Sequence, residues 1–211
     1  MLPEFYQFHH PTKVIYGEGL VNDFAHELEE LGVKSYFIVS DQVLHGLGLI
    51  EPIKTSLEEA GFRITGGFYD VPQDASLEAV ESISRQAADS GAEGLIAVGG
   101  GSVIDATKAA NFVFSEGGDL IADYSGAATL TRPLKPLIVI PTTAGTGSEN
   151  TLVAVIYDVA NKTKLAFSDK YLLPVLAVLD PVMTQSLPPG LTASTGMDAL
   201  THAVESYVGI D

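Results

Sequence analysis

The chain has 211 residues, room for one large domain and part of a second, and a chain of that size buries about 70% of its unfolded surface without covalent staples. Its 46% hydrophobic and 18% charged residues exclude a disordered or collagen-like polymer, while 11 Lys+Arg against 27 Asp+Glu give a net charge of −16 that repels nucleic-acid phosphates and anionic membrane surfaces. With no cysteine, disulfides, zinc ribbons, iron–sulfur ligation and thiol nucleophiles are all excluded, so any chemistry rests on oxygen and imidazole groups.

Met1 to Lys13 lacks a basic stretch followed by an apolar one, and no apolar run approaches about 18 residues, so a cytoplasmic protein is expected. From there, short β-branched runs alternate with amphipathic stretches of helical length, the pattern of βα units on a parallel sheet. A strand is predicted over Lys13–Tyr16 and a helix over Gly19–Leu31. Tyr36-Phe-Ile-Val-Ser40 reads as a buried strand, with Gln42–Ala60 helical after it. Phe62–Asp70 is extended, and Ser76–Ser90 has helical spacing through Leu77, Val80, Ile83 and Ala87. A fourth strand, Leu95–Val98, precedes a helix from Ser102 to about Phe114, and a fifth, Leu137–Ile140, runs into a loop rich in threonine.

Beyond that loop the pattern changes. Leu152–Tyr157 and Lys164–Phe167 flank a turn and predict a hairpin, and Val175–Leu179 is one more buried strand. Prolines at 181, 188 and 189 then precede a helix over Thr192–Tyr207, so a boundary is expected near Leu187. The expected organisation is an α/β domain over 1–187 and, over 188–211, the first helix of a second, helical domain of which the rest is not in this chain.

Four features carry chemistry. Gly99-Gly-Gly-Ser102 lies where a parallel strand hands over to a helix, the place where backbone N–H groups and the helix terminus attract phosphate; a plain turn with a Ser102/Asp105 capping box is the alternative. Pro141-Thr-Thr-Ala-Gly-Thr-Gly-Ser148 offers four hydroxyls with little bulk at the next strand end, or is a hydroxyl-rich turn with Ser148 capping a helix. Asp41, at another strand tip, suits an adenosine ribose and repels a 2′-phosphate, and it equally suits an N-cap. Asp198 and His202, four apart on one helix, fit either bidentate capture of Fe²⁺, Zn²⁺ or Mn²⁺ or a surface ion pair. His9, His10, His26 and His45 read as surface or core histidines.

In this order the features resemble the iron-containing (group III) alcohol dehydrogenases. The resemblance runs from Lys13-Val-Ile-Tyr-Gly-Glu-Gly19 through Gly99-Gly-Gly-Ser-Val-Ile-Asp105-Ala-Thr-Lys108 and Pro141-Thr-Thr-Ala-Gly-Thr-Gly-Ser-Glu149 to Asp180-Pro181 and Gly196-Met-Asp-Ala-Leu-Thr-His-Ala-Val-Glu205. It implies a Rossmann-like dinucleotide-binding domain followed by an all-helical domain, with metal and nicotinamide meeting between them. Residue by residue, it places Gly100, Gly101 and Ser102 at the pyrophosphate, with Gly99 and Asp105 in the same motif, and Asp41 at the adenosine ribose. Thr142, Thr143 and Thr146 line the adenine and nicotinamide portions, Lys164 reaches the nicotinamide ribose, and Asp198 and His202 are the first two ligands of Fe²⁺, or alternatively Zn²⁺. Gln73 in Val71-Pro-Gln-Asp74 stands where the family usually has an asparagine near the cofactor.

The implied activity is NAD-dependent, metal-dependent interconversion of a primary or secondary alcohol with its aldehyde or ketone, in a homo-oligomer that engages neither nucleic acid nor membrane. Two ligands are short of a metal site, so little turnover is expected of this chain alone. The alternatives are a non-catalytic NAD-binding remnant, and a glycerol dehydrogenase-like or dehydroquinate synthase-like enzyme, which the threonine loop and Met197–His202 fit less well.

Overall fold

The computed structural model describes residues 10–209. In chain order the strands are β1 (Lys13–Tyr16), β2 (Ser35–Val39), β3 (Arg63–Phe68), β4 (Gly94–Gly99), β5 (Gly126–Ala127), β6 (Leu137–Pro141), β7 (Val153–Asp158), β8 (Thr163–Ser168) and β9 (Leu176–Leu179). The helices are α1 (Gln42–Gly46), α2 (Glu51–Glu59), α3 (Leu77–Asp89), α4 (Gly101–Glu116), α5 (Leu120–Tyr124) and α6 (Pro189–Val208). Six strands form one parallel sheet in the order β1-β9-β6-β4-β2-β3, and β5, β8 and β7 form a second small sheet around the hairpin that the sequence predicts.

The central strands are continuous apolar runs because both faces of the sheet are covered. Tyr36, Ile38, Ile96, Val98, Ile138 and Ile140 pack with Val21, Phe24, Leu28, Ile53 and Leu57 on one face. Their alternating neighbours Phe37, Val39, Leu95, Ala97 and Val139 pack on the other with Val80 and Ile83 of α3, Val103 and Ile104 of α4, and Ala154, Ile156 and Phe167 of the hairpin. Each large apolar side chain taken fully out of water contributes about 1.5–3 kcal/mol, so this double layer dominates the folding energy.

Several boundaries differ from the sequence reading. Gly19–Leu31 is not one α-helix but two 3₁₀ stretches, Leu20–Asn22 and Ala25–Leu31. Its buried residues come in pairs three apart, Val21 with Phe24 and Ala25 with Leu28, the repeat of a 3₁₀ turn. Gln42–Ala60 breaks into α1 and α2 at Gly48, whose φ of +73° ends the first helix, and Pro52 sits in the first turn of the second. Residues 117–136, unassigned from sequence, hold α5, capped by the Asp119 side chain, and β5 beside β8. The last helix starts at Pro189, three residues before its predicted Thr192.

The winding positions the loops at the strand ends. From β2 the chain goes outward to β3, then returns to β4 on the other side of β2, so the connections diverge between β2 and β4. Open parallel sheets bind ligands at such a divergence, beyond the carboxyl ends of the strands. The three loops singled out from sequence follow β2, β4 and β6, which are neighbours in the sheet.

Candidate dinucleotide site and metal pair

At the carboxyl end of β4, Gly99 pairs with Pro141 of β6, and the N–H of Thr142 donates to the Gly99 carbonyl at 3.1 Å. The bases of the glycine and threonine loops are therefore joined. Above them the loops nearly touch: a Cβ on Gly100 would lie 3.2 Å from Thr143 Cγ2, and one on Gly101 would lie 2.9 Å from Thr146 Cγ2. Only residues without a side chain allow the threonine hydroxyls to come this close to the start of α4.

Gly100 occupies the N-cap of α4 and offers no side-chain oxygen to the first-turn amides. The capping box predicted for Ser102 and Asp105 is absent. Ser102 is already inside the helix and its hydroxyl donates to the carbonyl of Gln73, while Asp105 accepts hydrogen bonds from the Ser148 hydroxyl at 2.5 Å and the Val155 N–H at 3.0 Å. Helices α1, α3 and α5 are capped by Asp41, Ser76 and Asp119, whereas α2 and α6, like α4, have no side-chain cap. A 16-residue helix with an uncapped N-terminus, fronted by glycines, fits a pyrophosphate.

The other expected residues are distributed around this point. Asp41 sits at the tip of β2, where its Oδ1 accepts the Leu44 N–H at 2.9 Å, so the capping role is realised and the second oxygen has no partner among the described residues. Gln73 is exposed, and its backbone is brought to α4 by Ser102. Thr142 is buried and Thr143 and Thr146 are half-buried. Ser148 caps no α-helix; it opens a 3₁₀ turn, Ser148–Asn150, after Gly147 in the left-handed region at φ +64°. Lys164, on β8, is exposed and lies 3.8 Å from Asp74.

Helix α6 has no buried residue, and of its side chains only Thr195 and Asp198 are partly shielded. Thr195 faces the threonine loop, where a Cβ on Gly145 would meet its carbonyl oxygen at 2.5 Å. Asp198 Oδ1 lies 3.7 Å from His202 Nε2. A hard carboxylate beside an imidazole is a suitable pair of donors for a first-row divalent metal, and among the described residues no group of three or more candidate ligands gathers. Of the other histidines, His10, His26 and His45 are exposed, with His10 against Asn150, His26 against the Asp23 carbonyl and His45 stacked on Tyr69; His9 lies outside the described residues.

Sequence reasoning assigned no role to three residues. Asp180, buried, accepts the N–H groups of Gly19, Val21 and Val182, each at 3.0 Å, and so ties the chain after β1 to the end of β9. Gly145 sets how close α6 comes. Lys108 is fully buried in α4, and its only signal in the sequence is a charge four residues after Ile104 on an apolar helix face.

Residues 11–181 match the family described as iron-containing alcohol dehydrogenase. The chain is 38% identical over 198 residues to the NAD-dependent methanol dehydrogenase of Bacillus methanolicus, a match covering 94% of this chain and 51% of that protein. Among solved structures, an alcohol dehydrogenase from Oenococcus oeni superposes with a TM-score of 0.91 at 33% identity, covering 98% of this chain and 54% of that one. A sulfoacetaldehyde reductase from Bifidobacterium kashiwanohense, solved in complex with NAD+, gives 0.87 at 29% identity over 97% of this chain and 54% of that one. The chain spans about half the length of these relatives. Glycine loop, threonine loop and Asp–His helix thus stand on the fold, and within the sequence similarity, of one enzyme family, and this chain belongs to the iron-containing alcohol dehydrogenases.

Proposed function

We propose that this chain supplies the dinucleotide-binding half, and the first two metal ligands, of an NAD-dependent alcohol or aldehyde oxidoreductase. The observation that carries the reading is the meeting of the glycine loop with the threonine loop at the ends of β4 and β6, beside an uncapped α4. In this reading the first amides of α4 and Ser102 hold the pyrophosphate, Asp41 holds the adenosine ribose and excludes a 2′-phosphate, and Thr142, Thr143 and Thr146 line the rest of the dinucleotide. Gln73 and Lys164 border it from the α3 and hairpin sides.

Asp198 and His202 would hold a divalent metal, Fe²⁺ or alternatively Zn²⁺, which when bound supplies a Lewis acid for the alcohol oxygen. The contact of Thr195, one turn before Asp198, with Gly145 of the threonine loop supports a metal pair on the cofactor side of α6. Catalytic metal sites generally use three protein ligands or more, so two donors give weak metal binding and negligible alcohol oxidation by the 211-residue chain on its own.

The reading divides the chain into an α/β domain over 1–187 and, over 188–211, helix-forming sequence of a metal-binding domain. It includes a cytoplasmic location, in keeping with the absence among the described residues of any helix long and apolar enough to cross a membrane. It also includes a homo-oligomer, supported by Met197, Leu200, Val204 and Tyr207 lying exposed along α6.

Calorimetric titration of the chain with NAD, NADP, Fe²⁺ and Zn²⁺ tests the reading. NAD binding in the micromolar range with weaker NADP supports it, and no binding of either dinucleotide refutes it. Robust metal-dependent alcohol oxidation by a monomer of this chain would refute the two-ligand argument.

A further inference from the structure

Lys108 is the one lysine entirely out of solvent among the described residues, and the chemistry above leaves it unused. It lies two turns into α4, where its Nζ donates to the Thr151 carbonyl at 2.7 Å, the Val153 carbonyl at 3.1 Å and Thr151 Oγ1 at 3.1 Å, with Ser148 Oγ at 3.5 Å. An ammonium has three protons and no acceptor, so its donor capacity is filled by one short stretch of chain. Three residues earlier, Asp105 grips the same stretch through the Ser148 hydroxyl and the Val155 N–H. That stretch, 148–155, is the exit of the threonine loop into β7.

Burying an ammonium without a carboxylate directly against it is expensive, and an apolar side chain of similar size commonly does as well for stability alone. The expense is concentrated where two loops must keep a fixed spacing. Helix α4 carries the glycine loop at its N-terminus and, one and two turns on, Asp105 and Lys108, which hold the far end of the threonine loop. The 2.9 Å separation that a Cβ on Gly101 would have from Thr146 leaves no slack between the loops.

We propose that Asp105 and Lys108 are positioning residues for the dinucleotide: they clamp the threonine loop at the distance from the glycine loop that the cofactor requires, without touching the cofactor. The proposal rests on the dinucleotide reading above and gives Asp105 a different task from the cofactor contact that the family resemblance implies.

Burial pulls the Lys108 ammonium down to about 8, against the opposing pull of the charged groups that face it, Asp105 from its own helix and Glu149 from the 3₁₀ turn. Deprotonation leaves two donors for three acceptor groups and loosens the grip. Stability moves the other way. A lysine whose folded value lies below its unfolded one binds fewer protons when folded, so stability rises with pH between about 8 and the unfolded value of 10.5. A clamp therefore shows affinity falling while stability rises, which a purely structural lysine would not.

The experiment measures NAD affinity of the 211-residue chain by calorimetry from about pH 6.5 to about 9.5, with thermal melts in the same buffers, for the unmodified protein, Lys108→Met and Ser148→Ala. The unmodified protein is expected to lose about tenfold in affinity across the range, and Lys108→Met to bind about tenfold more weakly at neutral pH with a flat profile. Ser148→Ala removes one hydroxyl between Asp105 and Lys108 and is expected to weaken NAD several-fold while melting cooperatively, so it decides the matter if Lys108→Met does not fold. Unmodified protein that binds NAD with a flat profile, together with a folded Ser148→Ala of undiminished affinity, overturns the clamp alone. Absence of NAD binding by the unmodified protein overturns the dinucleotide reading and the clamp with it.

Discussion

Gly101 and Thr146 meet face to face at the mouth of the sheet: a Cβ on Gly101 would lie 2.9 Å from Thr146 Cγ2 and 3.1 Å from its Oγ1. Gly101→Val must therefore push the threonine loop aside as well as crowd the amides of α4. Because the clash is with the end of a loop side chain, the cost falls on the site and the sheet is spared. Dinucleotide affinity is expected to drop about a hundredfold or more, the loss of several charge-assisted hydrogen bonds, while the far-UV spectrum stays that of the parent. Calorimetry showing unchanged NAD affinity in the folded variant would return this loop to a plain turn.

In the proposed function, cofactor choice falls to Asp41. Its Oδ1 is used by the Leu44 N–H, which keeps the carboxylate fixed at the tip of β2. Asp41→Gly removes the charge at a cost of only a few tenths of a kcal/mol in capping, and is expected to narrow the preference for NAD over NADP by about 1–3 kcal/mol. Parallel titrations with both cofactors read this out. Equal affinities in the unmodified protein would remove Asp41 from the site.

The Asp198–His202 pair, 3.7 Å apart on α6, is expected to take up Zn²⁺ weakly, and Asp198→Ala or His202→Ala to abolish that uptake. Neither change should alter NAD affinity, since both side chains lie beyond the joint at Gly145. Tight metal binding that survives both substitutions would place the ligands elsewhere.

Asp158 closes the hairpin turn, accepting the Asn161 N–H at 3.0 Å and its side-chain amide at 2.7 Å, and these bonds hold its carboxyl below the usual 3.8. A group depressed in this way contributes stability that is present above its unfolded value and is lost as pH falls through the folded one. Asp158→Ala is therefore expected to lower the melting temperature at neutral pH, and the difference from the parent to shrink below about pH 4. A difference that persists unchanged at acid pH would show that the turn owes nothing to the charge.

How much was legible in advance differs by element. Tyr36–Val39 and Leu95–Val98 could be read as buried strands because they are apolar at every position, which only a sheet covered on both faces requires. Gly19–Leu31 reads as a helix in the sequence, whereas its buried residues fall in pairs three apart along two 3₁₀ stretches, a distinction too fine for apolar spacing to carry. The Ser102/Asp105 spacing gave a false capping box because the group that engages Asp105, Ser148, lies 43 residues away.

The sequence by itself determined that the candidate ligand loops follow β2, β4 and β6, because glycines, threonines and a lone aspartate after apolar runs are local signals. Only the tertiary structure decided that these loops are neighbours, that two of them come close at Gly101 and Thr146, and that Lys108 and Asp105 reach from α4 to the exit of the threonine loop. Which strands lie side by side depends on the winding of the whole sheet, and the partners of a buried lysine on which segments that winding brings above it; neither quantity is encoded in the few residues around it.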